Sequence, residues 1–158
     1  MKKLSHVDSS GEARMVDVSP KPVSERFARA TGSIRMKPDT YRAIQQNALV
    51  KGDVLGVARI AGIMAAKRTA ELIPLCHPIS LTDVQVTLAL DESLPGVTCE
   101  AVTRTNDRTG VEMEAITAVA VSLTTVYDMA KSIDRAMTIT DIHLLEKDGG
   151  RSGHFVSS

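Results

Sequence analysis

Asp128 and Lys131 stand near the end of a run, Glu114, Thr117, Val121, Thr124, Asp128, Lys131 and Arg135, whose steps of three and four place every member on one face of a helix. A carboxylate beside an ammonium on an otherwise apolar helix is either an ion pair that offsets its own burial or an acid/base pair set for proton transfer. Spacing alone favours the ion pair, because such neighbours are common on helices. Glu114 is fourteen residues from Asp128, about 21 Å along a helix axis, so the two carboxylates do not act on one atom within one chain. They touch opposite ends of a large substrate or belong to different sites.

Cys76 and His77 form a second pair, in the constrained loop Ile73-Pro74-Leu75-Cys76-His77-Pro78. Adjacent side chains diverge, so a structural Cys beside a hydrogen-bonded His is favoured over a nucleophile with its base. Lys51-Gly52-Asp53 joins a cation, a flexible backbone and a helix start, the ingredients of a phosphate site, and Lys147-Asp148-Gly149-Gly150-Arg151-Ser152-Gly153 repeats the theme. Neither matches the P-loop pattern. Each alone reads as an ordinary loop; the two together favour an anionic ligand.

These groups need elements to carry them. Over residues 28–36 small or apolar side chains alternate with polar ones, the period of a half-buried strand. Pro38-Asp39 suits the first turn of a helix running to about residue 48. Asp53 is the natural N-cap of a second helix that ends near residue 72, before Pro74. Gly56, Ala58, Ala61, Gly62, Ala65 and Ala66 give that helix so little bulk that a buried, closely packed element is expected. Val84, Val86, Leu88 and Leu90 mark one face of a strand over 81–90, and Leu94-Pro95-Gly96 turns it into 97–105 as an antiparallel hairpin. Thr109 caps a long helix expected from 110 to about 135, and a last strand spans 137–146 with a phase slip between Ile139 and Ile142 that predicts a bulge. The order is that of a split β-α-β unit, hence an α+β fold with an antiparallel sheet and helices packed on one face. The long helix is apolar nearly all round, more than one small sheet covers, which leaves either a subunit interface or a larger single core.

A chain of 158 residues, 43% hydrophobic, suits one domain with its own core. The expected division is an N-terminal arm over 1–20, a single domain over 21–147 and a flexible glycine-rich tail over 148–158. Nineteen Lys and Arg balance nineteen Asp and Glu, so no global basic field draws the chain onto nucleic acid or anionic lipid. Aromatics at 3% are too few for a base-stacking platform. Cys76 and Cys99 are far apart without metal-ligand spacing, which argues against a zinc site and a disulfide framework. No apolar run follows Lys2 and Lys3 and none spans a membrane, so a cytoplasmic protein is expected.

Taken together, Met15-Val16-Asp17-Val18-Ser19, Lys51-Gly52-Asp53-Val54, Ala61-Gly62-Ile63-Met64-Ala65-Ala66-Lys67-Arg68-Thr69, the Leu75-Cys76-His77-Pro78 block, Gly110-Val111-Glu112-Met113-Glu114-Ala115 and Tyr127-Asp128-Met129 with Lys131 resemble the cyclic pyranopterin monophosphate synthase (MoaC) family of molybdenum-cofactor biosynthesis. The resemblance covers residues 4–153. It implies a ferredoxin-like α+β fold and a homohexamer built as a trimer of dimers. It implies a phosphorus-oxygen lyase that converts a cyclised dihydroguanosine triphosphate, made from GTP by a radical enzyme, into cyclic pyranopterin monophosphate with release of pyrophosphate. No cofactor is required on this reading, and Mg2+ could accompany the pyrophosphate.

The same resemblance implies catalytic roles for Asp128 and Lys131, with Lys51, His77 and Glu114 also at active-site positions. Leu75, Cys76, His77, Met113 and Glu114 fall in its substrate-contact segments, and Lys21, Arg26 and Lys147 at basic positions suited to the triphosphate. The separation of Glu114 from Asp128 then reads as groups from different protomers sharing one site. Ala130 stands where the family has Cys, and Arg151 and His154 where it has Lys and Asp, all outside the implied catalytic set. Two rival readings are an oligomeric nucleotide- or pterin-binding regulatory module without turnover and a scaffold for other cofactor enzymes.

Overall fold

The computed structural model of the chain describes residues 6–8 and 10–158; residues 1–5 and 9 of the expected arm lie outside that part. In the strand β1 (Ser24–Arg35), buried positions alternate with half-covered ones, so that Arg26, Ala28, Ala30 and Ile34 face the core while Arg29, Thr31 and Ser33 face away. The strand starts earlier than the expected residue 28, because the alternation carries on through Arg26, whose Nε donates to the Asp107 carbonyl at 3.2 Å.

β1 lies between β3 (Gly96–Asp107) and β4 (Thr138–Asp148), with β2 (Leu81–Asp91) outside β3, and every pairing is antiparallel. The expected hairpin is β2 and β3, in register from Leu90 opposite Val97 to Val84 opposite Thr103. The expected bulge is also present: between the Thr31–His143 and Ser33–Thr140 pairs β4 carries one more residue than β1, and Asp141 takes up the slack at a φ of 58°. A short strand, β5 (Phe155–Val156), pairs with the outer edge of β4, an element that the sequence reading placed in the tail.

Among the described residues four helices connect the strands: α1 (Pro38–Gln45), α2 (Val54–Lys67), α3 (Thr69–Leu72) and α4 (Glu112–Ala130). Each of the three expected helices differs from its prediction. α1 stops short of residue 48, where Asn47 turns to a φ of 52°. The single helix expected from Asp53 to about residue 72 is broken at Arg68, because the Thr69 hydroxyl takes the carbonyls of Ala65 and Ala66 and the Arg68 N–H reaches back only to Ala65. α4 runs over 112–130 rather than 110–135, and Thr109 does not cap it; Val111 stands at the N-cap without a side-chain bond, and its carbonyl accepts the Thr103 hydroxyl at 3.0 Å.

α4 packs on β1, β3 and β4, and α2 packs on α4 and β2. The two helices approach closely because Gly62 has no side chain: a Cβ there would run into Ser122 Oγ and the Ala118 carbonyl. The Ser122 hydroxyl donates to the Ala58 carbonyl at 3.0 Å across the same contact. α4 is therefore covered on both sides within the chain, by sheet and by α2, which accounts for its apolar circumference. Among the exposed large apolar groups, Val57, Ile60 and Met64 share α2, which is buried on the side carrying Ala58, Gly62 and Ala65. Among the described residues no helix is long and apolar enough to cross a membrane.

Candidate active site

The last turn of α4 presents Asp128, and the turn beyond it presents Lys131, whose Nζ donates to Asp128 Oδ1 at 2.7 Å. Lys51, from the loop before α2, donates to Asp128 Oδ2 at 2.8 Å and to the Asp128 carbonyl at 3.1 Å. Asp53 beside it caps α2 by accepting the Gly56 N–H at 2.9 Å. That helix start thus already holds a carboxylate of its own, and Lys51 turns to Asp128 rather than completing a phosphate loop there. Two ammonium groups on one carboxylate hold Asp128 down to about 2, through the hydrogen bond from Lys131 first and that from Lys51 second. The Asp128 side chain is 54% exposed, so the cluster faces outward and is open to a ligand. A carboxylate this acidic is a poor base near neutral pH, and its two oxygens each hold one of the two ammonium groups.

The other end of α4 borders a cleft of about 670 Å³ lined by the segment around Val16 to Lys21, the loop entering α4 and residues 147–152. Lys21, Arg26, His77 and Lys147 all line it. Four of the sequence-named residues, from three separate stretches of chain, are thereby brought to one hollow. His77 Nε2 donates to the Val16 carbonyl at 2.7 Å, which pins the N-terminal segment to the cleft wall. Lys147 Nζ donates to Glu112 Oε1 at 2.6 Å and to Ser152 Oγ at 3.2 Å. Gly150, at a φ of 76°, lies so close to the Arg26 guanidinium that a Cβ would overlap it. Glu112 and Arg108 line the cleft too, and the sequence reading did not single them out. The signal for Glu112 was its place in the first turn of a helix whose neighbouring loop is basic.

Glu114 does not line that cleft. It is 3% exposed, and burial above all, with the charge of Glu112 adding, pushes its carboxyl from an ordinary 4.5 up to about 7. Its Oε2 has no hydrogen-bond partner among the described residues. The Cys76 thiol is raised by burial first and by the charge of Glu114 second, which keeps it a thiol rather than a reactive thiolate. Leu75 and Met113 are half-buried. Because α4 is unbroken, Glu114 stays about 21 Å from Asp128 along its axis. Within one chain the named residues form two groups, Lys51, Asp128 and Lys131 at one end of α4, and the cleft residues with Cys76 and Glu114 at the other.

The fold is α+β, with two lysines sharing one exposed carboxylate at one end of α4 and a hollow edged by basic side chains at the other. The chain belongs to the MoaC family, whose model matches residues 15–150. It is 54% identical over 158 residues, 100% of this chain and 99% of the relative, to a protein of Cereibacter sphaeroides named cyclic pyranopterin monophosphate synthase. Proteins of the same name from Dinoroseobacter shibae, 56% identical over 155 residues with 98% of each chain covered, and from Parvibaculum lavamentivorans, 56% identical over 154 residues with 98% of this chain and 96% of the relative covered, are similar to it as well.

Proposed function

We propose that the protein is an enzyme of molybdenum-cofactor biosynthesis, a cyclic pyranopterin monophosphate synthase. It takes a cyclised dihydroguanosine triphosphate, the product of a radical enzyme acting on GTP, and rearranges it to cyclic pyranopterin monophosphate with release of pyrophosphate. The observation that carries this reading is the Lys51–Asp128–Lys131 cluster, two ammonium groups held on one carboxylate, in a chain that matches the MoaC family over most of its length. Opening a guanine ring and closing a pterin needs several proton transfers, and a lysine oriented by a carboxylate serves them.

In this proposal Lys21, Arg26 and Lys147 hold the triphosphate in the cleft, His77 and Glu114 border the rearranging ring system, and Leu75, Cys76 and Met113 contact it. The two ends of α4 meet in one site because different protomers of a homohexamer, a trimer of dimers, contribute them; the exposed Val57, Ile60 and Met64 of α2 support association. The strand order β2-β3-β1-β4, with β1 central, supports a ferredoxin-like fold for the domain over 21–147. No cofactor is part of the proposal, and Mg2+ enters it only as a companion of the leaving pyrophosphate. Incubating the protein with the cyclised nucleotide and measuring pterin and pyrophosphate tests the reading: both products appear together. Tight nucleotide binding without pyrophosphate would favour a regulatory module instead.

A further inference from the structure

Between the end of α4 and the start of α1 lies a carboxylate with no part in the chemistry above. Asp134 is only 2% exposed, and both of its oxygens are engaged. Oδ2 accepts the Lys37 backbone N–H at 2.9 Å and the Thr40 hydroxyl at 3.3 Å, and Oδ1 accepts the Ala136 N–H at 3.0 Å. Lys37 is the N-cap residue of α1 and supplies no side-chain cap of its own, so this helix start is capped from a turn distant in sequence. Burial works against the charge on Asp134, yet the Lys37 and Ala136 N–H groups outweigh it and hold the carboxyl below the ordinary aspartate value.

That turn is the one carrying Lys131. The Lys131 N–H donates to Tyr127 O at 2.8 Å, the N–H groups of Ile133 and Asp134 both return to Ala130 O, at 3.0 and 3.1 Å, and the Tyr127 hydroxyl donates to Arg135 O at 3.1 Å. On the other side, α1 leads into the loop that carries Lys51, closed by the Gly52 N–H on Leu49 O at 3.0 Å. Lys51 and Lys131 are both half-exposed, so packing does not fix their flexible stems. Where their ammonium groups stand depends on how firmly the backbone beneath them is anchored.

We propose that Asp134 is a positioning residue: by tying the turn after α4 to the first turn of α1, its carboxylate sets where Lys131 and Lys51 stand on the two oxygens of Asp128. The kinetic consequence rests on the function proposed above; the electrostatic consequence does not involve substrate.

The test reads the Asp128 carboxyl directly, by carbon-13 NMR of the full chain, with Asp128→Asn identifying its signal. At the ordinary aspartate value of about 3.9, Asp128 of the wild-type protein stays ionised. In Asp134→Asn, which keeps the shape but not both acceptors, it is expected part-way to protonated, and Thr40→Val, which removes one of the three donors, shifts it less in the same direction. Val86→Ala, a destabilising change in β2, leaves Asp128 unmoved. With the cyclised nucleotide, Asp134→Asn is expected to lower kcat roughly ten- to hundredfold with KM little changed. A folded Asp134→Asn protein whose Asp128 titrates as in the wild type overturns the proposal, and so does an equal shift in Val86→Ala. If Asp134→Asn does not fold, an unmoved Asp128 in Thr40→Val overturns it. A shifted titration in a protein whose wild type makes no pterin overturns the proposed reaction and leaves the positioning role standing.

Discussion

With Asp128 held at about 2 by Lys131 and Lys51, its negative charge is present through the whole neutral range and is lost only as pH falls through that low value. Its stabilising pairing is thus complete above the ordinary aspartate value and disappears only in strong acid. Asp128→Asn removes the charge while keeping the shape, so turnover is expected to fall by roughly 100-fold or more while the fold survives. Lys131→Ala is expected to be similarly impaired, and the double variant little worse than either, because the groups act as a unit; single-turnover rates and thermal melts on the three proteins check this. Glu114 behaves oppositely. Its carboxyl is raised to about 7 by burial, so the folded protein binds a proton that the unfolded chain releases near 4.5. The stability contributed by the neutral acid is full below that value and is lost as pH rises through about 7. In urea melts, wild-type stability relative to Glu114→Gln, which does not titrate, should therefore fall as pH rises between those values and hold constant below and above them.

At the scale of elements, the close contact of α2 with α4 is the part least tolerant of change. It brings Lys51, at the entrance to α2, within reach of Asp128 at the end of α4. Gly62→Ala places a methyl group against Ser122 Oγ and the Ala118 carbonyl, and the helices must separate to admit it. Overpacking of this kind costs typically about 1–3 kcal/mol. The separation also draws Lys51 from Asp128, so chemical melts should show the loss of stability and assays a reduced rate in the protein that remains folded. A loss of stability with full activity would mean that the two helix ends are held by other contacts.

For the whole molecule, the division of named residues between the two ends of α4 has a direct test. Asp128→Asn and Lys147→Ala each disable one end, so each homogeneous protein is expected to be inactive or slow. If protomers share sites across a two-fold interface, refolding the two together at equal amounts forms mixed pairs in which one site has both intact ends, and statistical mixing predicts about a quarter of wild-type activity. A mixture no more active than its components would place each complete site within one chain, and a light-scattering mass of an active monomer would say the same.

Much of this was legible in the residues. Alternation of small and polar side chains marked the strands, Asp53 marked the start of α2, and the slip between Ile139 and Ile142 marked the bulge at Asp141, since each is a local consequence of side-chain size and backbone preference. The pairing of Asp128 with Lys131 followed from helical spacing and survives although Lys131 lies just beyond the helix end. Helix ends were less legible, because the Thr69 hydroxyl that interrupts the helix at Arg68 competes with the backbone on its own terms. The rest depended on groups distant in sequence. Lys51 reaches Asp128 across 77 positions, Glu112 meets Lys147 across 35, and Asp134 caps a helix 97 positions earlier. Such contacts come from the packing of helix on helix and helix on sheet, and no local propensity specifies which distant donor meets which acceptor; tertiary structure alone decided them.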